Sequence, residues 1–137
     1  MHTGRISVET KGDVEIHDIS GEVMSIVEES GIDDGIASIF VPGSTGAITT
    51  LEYEPGLLED ILAALERLFP RGIVYQHHER WHDGNGHSHV RASFLKPGLC
   101  VPVESGRPVL GTWQQIVFIE LDNKPRRREI IVKVVGE

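Results

Sequence analysis

The sequence predicts a single α+β domain. Three observations favour this fold class: apolar residues that alternate with period two, segments with helical spacing of apolar residues, and a final third that is punctuated by turns. A length of 137 residues is enough to bury a hydrophobic core in one domain, which is taken here as residues 1–137. The sequence contains no internal repeat, low-complexity segment or linker at which this domain would divide.

The first half of the chain mixes strands and a helix. Asp18 or Ser20 can cap a helix that runs to about Ser30, and Gly31 stands where a left-handed helix cap is expected. The small residues 43–46 form a tight turn between two apolar segments. Alternation or short apolar runs predict four strands, at residues 6–10, 13–16, 36–41 and 47–52.

The second half begins with the clearest helix, which Pro70 ends. Residues 72–77 are predicted to be a strand that leads into a group of histidines. A third helix is favoured at residues 89–95, closed by Lys96-Pro-Gly, so two or three helices are expected in all. The long helix has seven apolar residues on one face: Leu57, Leu58, Ile61, Leu62, Leu65, Leu68 and Phe69. Turn residues separate three further predicted strands, at residues 99–103, 109–121 and 127–135.

Composition excludes several classes of protein. A net charge of −8 disfavours a general nucleic-acid binder, whose phosphate contacts need a basic surface. No apolar run approaches the roughly 18 residues of a membrane span, so no membrane partner is expected. Cys100 is the only cysteine, which excludes an intramolecular disulfide and favours a reducing compartment. With no signal-peptide pattern at the N-terminus, a cytoplasmic protein is predicted.

Five of the seven histidines lie between Tyr75 and His89. Imidazole is the commonest protein metal ligand and titrates near neutral pH. Three histidines, His77, His87 and His89, would leave an open coordination position, as in catalytic zinc sites. In a helix His87 and His89 diverge by roughly 200°, although a helix starting near Ser88 would leave His87 free in the approach loop. The alternative interpretation is a solvated histidine-rich loop.

Anion-binding groups occur in two other places. The turn at residues 43–46 can present backbone N–H groups together with the hydroxyls of Ser44 and Thr45. Arg126 and Arg128 share a face of an extended strand, and paired guanidinium groups suit phosphate. An ordinary tight turn and a solvated run of charge are the alternatives.

Side-chain alternation sorts the residues of the predicted strand 109–121. Gln114 and Glu120 share one face, where solvent exposure is predicted, with a polar pocket or a subunit contact as the alternative. Trp113 has the opposite parity and is predicted to be buried with the core. Cys100 has no arginine or histidine within a few residues and is predicted to pack in its strand rather than to react.

Five segments of the sequence form a recognisable series: Phe40–Glu52, Tyr75-x-His77, Asn85-x-His87-x-His89, Leu110–Gln114, and Glu120-x-Asp122-x-x-Pro-Arg126-x-Arg128. With these segments the chain resembles the YjbQ-like family. The resemblance covers nearly the whole sequence in the right order, and its histidine segment and Gly-Thr-Trp-Gln block are specific.

This resemblance implies a curved, largely antiparallel, barrel-like sheet, a homotrimer and a histidine site that can hold a metal. The family is described as secondary thiamine-phosphate synthase, which joins a hydroxymethylpyrimidine diphosphate to a thiazole phosphate and releases pyrophosphate. By position it implies catalytic roles for Glu52, His77 and His89. Many relatives carry His-Thr-Thr or His-Thr-Ser where this chain has Gly43-Ser44-Thr45, so one imidazole is absent here, and His87 is the expected substitute.

The combined prediction is a metal-binding enzyme that acts on phosphorylated small molecules, with thiamine-phosphate synthesis as a secondary activity. A divalent ion, zinc or magnesium-like, is expected on His77, His87 and His89. Two alternatives remain open: a metal-assisted hydrolase, and a non-catalytic trimeric protein that binds a metal or another ligand. The residues expected to contact the phosphorylated substrate are Ser44, Thr45, Gln114, Arg126 and Arg128.

Overall fold

A computed structural model describes all of residues 1–137. Pairs of strands alternate with single helices along the first half of the chain, and strands dominate the last third. The strands are β1 (His2–Thr10), β2 (Glu15–Asp18), β3 (Asp34–Phe40), β4 (Gly46–Leu51), β5 (Gly98–Glu104), β6 (Arg107–Pro108), β7 (Gln115–Glu120) and β8 (Arg126–Gly136). The helices are α1 (Ser20–Ser30), α2 (Pro55–Leu68), α3 (Gln76–Trp81) and α4 (Gly86–Leu95).

The strands form two antiparallel sheets that curl into a half-barrel. The larger sheet has the order β1-β8-β3-β5-β6 and the smaller one β2-β7-β4. Helix α1 lies against the larger sheet and buries Val23, Ile26 and Val27 in the main core, which also contains the fully buried Phe118 of β7. The predicted α+β fold with a curved antiparallel sheet is confirmed. No helix is long and apolar enough to cross a membrane.

Local signals set the ends of the two long helices. Helix α1 begins at Ser20, whose N–H donates to Asp18 Oδ1 over 3.0 Å, and it ends at Gly31 with φ of 66°. That left-handed conformation strains residues with a Cβ, which explains the glycine. Helix α2 begins after Glu54, whose carboxylate accepts two backbone N–H groups, and it ends just before Pro70. Both helices therefore end where the sequence predicted.

The predicted strand at residues 72–77 is wrong. The chain is irregular up to Tyr75, and helix α3 follows, so the protein has four helices instead of two or three. Ile73 and Val74 are 55% and 73% exposed, and no neighbouring strand pairs with this segment. Apolar residues alone did not make a strand here because a strand also requires a hydrogen-bonding partner.

The predicted strand at residues 109–121 is correct only in its second part. Residues 109–114 are irregular, which leaves Trp113 72% exposed, and β7 begins at Gln115. Strand β7 lies between β2 and β4 and is covered on both faces, so alternation does not separate exposed from buried residues. Glu120 is consequently fully buried rather than solvated. Cys100 is exposed on β5, contrary to the packing role predicted for it.

Candidate functional site

The residues predicted for the site lie at opposite ends of the β4–β7 ladder. Gly46 pairs with Glu120 at one end, and Leu51 pairs with Gln115 at the other. Five residue steps of extended chain separate these ends by about 17 Å. Ser44, Thr45, Arg126, Arg128, His77 and His89 belong to the first end, whereas Glu52 and Gln114 belong to the second.

Glu52 and Gln114 therefore do not meet the histidines within one chain. Glu52 follows β4 and is exposed. The side-chain amide of Gln114 stabilises its own loop. Its oxygen accepts the Gly111 N–H over 3.0 Å, and its nitrogen donates to the Thr50 hydroxyl over 3.1 Å. Gln114 acts here as a local structural residue.

His77 and His89 form a close pair between α3 and α4. Their ring centroids are 4.2 Å apart and the rings are inclined by 34°. Asp83, in the loop between the helices, brings its Oδ1 within 3.2 Å of His77 Nδ1, without the alignment of a hydrogen bond. Two imidazoles and a carboxylate thus approach one another at the contact of two short helices.

The environment of His89 favours its neutral form. Burial lowers the pKa of His89, and the neighbouring His77 lowers it further, while Asp122 and Asp83 act in the opposite direction. A neutral imidazole keeps a lone pair, which a metal ion or a proton can take. At neutral pH His89 is therefore suited to metal binding or to acid–base chemistry.

His87 lies apart from this pair. Helix α4 begins at Gly86 and not near Ser88, so His87 is in the first turn and its side chain diverges from that of His89. Its ring lies next to Tyr75, with 6.3 Å between centroids. Burial lowers the pKa of His87, and the positive charges of Arg91 and Arg71 lower it further. No group of three or more His, Cys, Asp or Glu side chains is arranged to hold a metal ion.

A buried carboxylate, Asp122, joins the segments around the pair. Its Oδ1 accepts from Asn85 Nδ2 over 3.1 Å and from the Asn123 N–H over 2.8 Å. Its Oδ2 accepts from the Thr45 hydroxyl over 3.1 Å and from Arg126 Nε over 2.8 Å. Burial alone would raise the pKa of Asp122, but the hydrogen bonds from Asn85, Arg126 and Asn123 outweigh it and lower the pKa to about 2. Asp122 is therefore ionised under all physiological conditions.

A second buried carboxylate, Glu120, pairs with Arg128. Arg128 Nε donates to Glu120 Oε1 over 2.9 Å, and Nη2 donates to both Glu120 Oε2 and the Thr45 hydroxyl. The hydroxyl of Thr10 donates to Glu120 Oε1 over 2.7 Å. Arg128 Nη1 takes no part in these bonds and faces Gly43, where an added Cβ would lie 3.0 Å from it. One guanidinium nitrogen is thus left for a ligand beside the turn at residues 43–46.

The two hydroxyls of that turn have different roles. Thr45 is 4% exposed, and its hydroxyl is used within the chain by Asp122 and Arg128. Ser44 is exposed and makes no hydrogen bond within the chain, so its hydroxyl is free for a ligand. Of the two predicted anion contacts, only Ser44 has a hydroxyl available in this arrangement.

Replacing Thr45 by valine is expected to lower the free energy of unfolding by about 1–3 kcal/mol, because it removes a buried donor and acceptor while conserving shape. Urea denaturation at pH 7 measures the change. The control is Thr3→Val, since the Thr3 hydroxyl makes only an exposed contact with Lys133. Equal destabilisation by the two substitutions would contradict a structural role for the Thr45 hydroxyl.

Two buried polar atoms near the start of α4 lack partners. The Asn85 side chain is held through Nδ2, and its Oδ1 accepts no hydrogen bond; Ser88 Oγ is likewise unpaired. Buried oxygens of this kind normally accept from a water or contact an ion. Asn85 precedes His89 by one helical turn, and its carbonyl oxygen accepts the His89 N–H. The unpaired Asn85 Oδ1 is therefore a candidate ligand atom one helical turn before His89.

Comparison with known proteins identifies the family. The sequence profile of the family described as "UPF0047 protein YjbQ-like" matches residues 4–137. The chain belongs to the UPF0047, or YjbQ-like, family. A UPF0047 protein of Archaeoglobus fulgidus is 42% identical over 130 residues, which cover 95% of this chain and 98% of the relative. The UPF0047 protein YugU of Bacillus subtilis is 37% identical over 129 residues, covering 93% of each chain.

Solved structures of YjbQ-like proteins share the fold. A YbjQ-like protein of unknown function from Sulfolobus solfataricus superimposes with a TM-score of 0.89 at 38% identity, covering 98% of each chain. A hypothetical protein from Aeropyrum pernix superimposes with a TM-score of 0.91 at 33% identity, covering 100% of each chain. The family resemblance predicted from the sequence is thus confirmed over the whole chain.

Sequence reasoning missed the interior position of the acidic residues in the YjbQ-like motif. Glu120 and Asp122 alternate along one segment, and Arg126 and Arg128 alternate along the next, with a turn between them. Alternating opposite charges on consecutive segments were a signal for buried ion pairs. Asn85, which fastens the start of α4 to Asp122, gave no such signal, because its partner lies 37 residues away.

Proposed function

We propose that this YjbQ-like protein is a metal-dependent enzyme that acts on phosphorylated small molecules. The observation that carries the proposal is the pair His77 and His89, whose ring centroids lie 4.2 Å apart in a setting that keeps His89 neutral. Neutral imidazole nitrogen is a preferred ligand of zinc and related divalent ions. In this proposal His77 and His89 hold the ion, and His87 does not.

Positive charge beside the pair supports a phosphorylated substrate. Arg126 uses Nε and Nη2 for Asp122, and its side chain is 40% exposed, so Nη1 is available to an oxyanion. Arg128 Nη1 and the free hydroxyl of Ser44 lie along the turn at residues 43–46. Guanidinium and hydroxyl donors are the usual partners of phosphate oxygens.

The chain's own residues would bind and orient the substrate. A bound divalent ion would act as a Lewis acid that offsets negative charge on phosphate oxygens. Arg126 and Arg128 would bind the same oxygens, and their buried carboxylate partners fix them in advance, so little reorganisation accompanies reaction. Asp83 would orient the ring of His77.

Thiamine-phosphate synthesis fits these groups as a secondary activity. In that reaction the bond from the pyrimidine methylene carbon to the diphosphate oxygen breaks, and the oxygen keeps the electron pair. The thiazole nitrogen then forms the new bond to carbon, and pyrophosphate is released. The demand on the protein is stabilisation of charge on the departing diphosphate, and in this proposal Arg126 and Arg128 provide it.

Zinc binding by the pair tests the proposal. We expect His77→Ala and His89→Ala each to weaken Zn²⁺ binding at least about tenfold in a chelator competition titration, since each removes one of two nitrogen ligands. His2→Ala, in β1, is the matched control and should bind as the wild type does. His87→Ala should also leave the Zn²⁺ affinity unchanged. A loss of affinity in His87→Ala would instead indicate that three histidines hold the ion. Wild-type affinity in both pair variants would contradict the proposal.

Turnover separates the three functional classes. Zinc-loaded protein is incubated with both thiamine precursors, and in parallel with a panel of phosphate esters. Thiamine phosphate that disappears in His89→Ala supports the synthase activity, and phosphate release that disappears there favours the hydrolase. Zinc binding without turnover of any substrate favours a non-catalytic binding protein and contradicts the enzyme proposal.

A further inference from the structure

A cavity lies beside the first turn of α4, and neither His77 nor His89 lines it. Its volume is about 340 Å³, within the range of small-molecule sites. It is bordered by the irregular segment 71–75, by α3 and by the first turn of α4. None of the groups proposed above to bind metal or phosphate lines it, so its role is separate from that of the pair.

The start of α4 supplies unpaired donors to this cavity. The first intrahelical bonds are those of Ser88 and His89 to the Asn85 carbonyl, and no side chain caps the helix. The N–H groups of Gly86 and His87 therefore have no partner in the chain, and both residues line the cavity. Free N–H groups and the helix dipole make such an end a site for a negative group.

His87 is an independent sign that this cavity takes a ligand. The residue is only 6% exposed, it lines the cavity, and its side chain makes no hydrogen bond within the chain. Polar side chains of buried residues are normally paired. The close approach of Gly86 to Tyr75, whose ring a Cβ would overlap, holds the imidazole at this position. A ligand is the partner that this geometry leaves open.

The remaining wall combines apolar surface with one free carboxylate. Ile73, Val74 and Tyr75 give the cavity an apolar side, and Ile73 and Val74 are otherwise largely exposed. Glu79 lines the cavity without any ion pair in the chain, whereas Arg71 is already engaged by Asp13 over 2.8 Å. The free charges are therefore positive at the helix end and negative at Glu79.

We infer that this cavity binds a small zwitterion with an apolar side chain, such as an aliphatic amino acid. Its carboxylate accepts from the N–H groups of Gly86 and His87 and from the His87 ring. Its ammonium group pairs with Glu79, and its aliphatic part packs against Ile73 and Val74. A simple anion would be repelled by the Glu79 carboxylate. A simple cation would leave the N–H groups at the start of α4 without an acceptor.

Titration of the whole protein with three probes tests each part of the inference. L-leucine carries both charges, 4-methylpentanoate lacks the ammonium group, and 3-methylbutylamine lacks the carboxylate. In ¹H–¹⁵N spectra, L-leucine is expected to shift the Gly86 and His87 amides and to bind at least about tenfold more tightly than either other probe, because a charge pair is lost in each. Equal binding of 4-methylpentanoate and L-leucine, or no shift of these two amides, would overturn the inference.

Two variants locate the site independently of the pair. Glu79→Gln, an exposed change, should weaken L-leucine binding and leave 4-methylpentanoate binding as it was, with the exposed Glu59→Gln as the matched control. His87→Leu keeps an apolar group against Tyr75 and should weaken both probes. Unaltered L-leucine affinity in Glu79→Gln overturns the inference even where His87→Leu folds poorly. Because zinc binding at His77 and His89 is measured separately, each proposal can fail alone.

Discussion

Replacing Glu120 by glutamine is expected to lower the free energy of unfolding by about 3 kcal/mol or more. The substitution conserves size but removes the charge that balances Arg128, and both side chains are nearly or fully buried. It also turns an acceptor for the Thr10 hydroxyl into an amide of mixed character. Urea denaturation at pH 7 measures the change, with one slope of unfolding free energy against urea concentration used for both proteins.

A surface pair gives the matched control. Arg5 and Glu129 are 2.8 Å apart and both 56% exposed, so Glu129→Gln is expected to change stability by less than about 1 kcal/mol. Equal effects at Glu120 and Glu129 would contradict the interpretation of the buried pair. A double variant, Glu120→Leu with Arg128→Met, should recover much of the lost stability, because the lone buried charge is then absent.

The elements that the sequence predicted well have local signals. Helix α1 ends at Gly31, which adopts the left-handed conformation of a helix cap, and α2 ends before Pro70, which cannot continue a helix. Strands β1, β3 and β4 follow from alternation or short apolar runs, within a few residues of their true limits. In each case the few residues around a boundary contain the physical cause of that boundary.

The predictions that failed depend on residues distant in sequence. Whether residues 72–77 form a strand depends on a pairing partner, and none is present. Whether Glu120 is solvated depends on the two apolar clusters that cover the faces of β7, and on Arg128 lying opposite. Alternation describes one strand and contains no information about its neighbours.

The candidate site was predicted in part for the same reason. His77 and His89 come together from helices α3 and α4, whereas the sequence predicted that His77 ends a strand. His87 is directed elsewhere because α4 starts at Gly86, two residues before the start near Ser88 that would have left His87 free in the approach loop. Glu52 lies at the far end of β4, a separation that follows from the register with β7 and not from any motif.

Acid is expected to remove stability from this protein in two separate ranges of pH. The lowered pKa values of His87 and His89 mean that the unfolded chain binds more protons below about 6.5, so stability falls as pH decreases through that range. Asp122 acts later. Its pKa is about 2 when folded and 3.8 as its ordinary value, so its contribution is complete above about pH 4 and is lost as pH falls toward 2.

Asp122→Asn isolates the lower range. The carboxylate is fully buried, so the difference between the two pKa values is worth about 2 kcal/mol at neutral pH. The variant should be less stable than the wild type by at least this amount at pH 7, and the gap should close by about 2 kcal/mol as the pH is lowered to about 2. Urea midpoints across the pH series measure that gap. A gap that stayed constant with pH would mean that the wild-type carboxylate stabilises the fold through hydrogen-bond geometry alone, and that its charge has no role in joining the turn at Thr45, the start of α4 and Arg126.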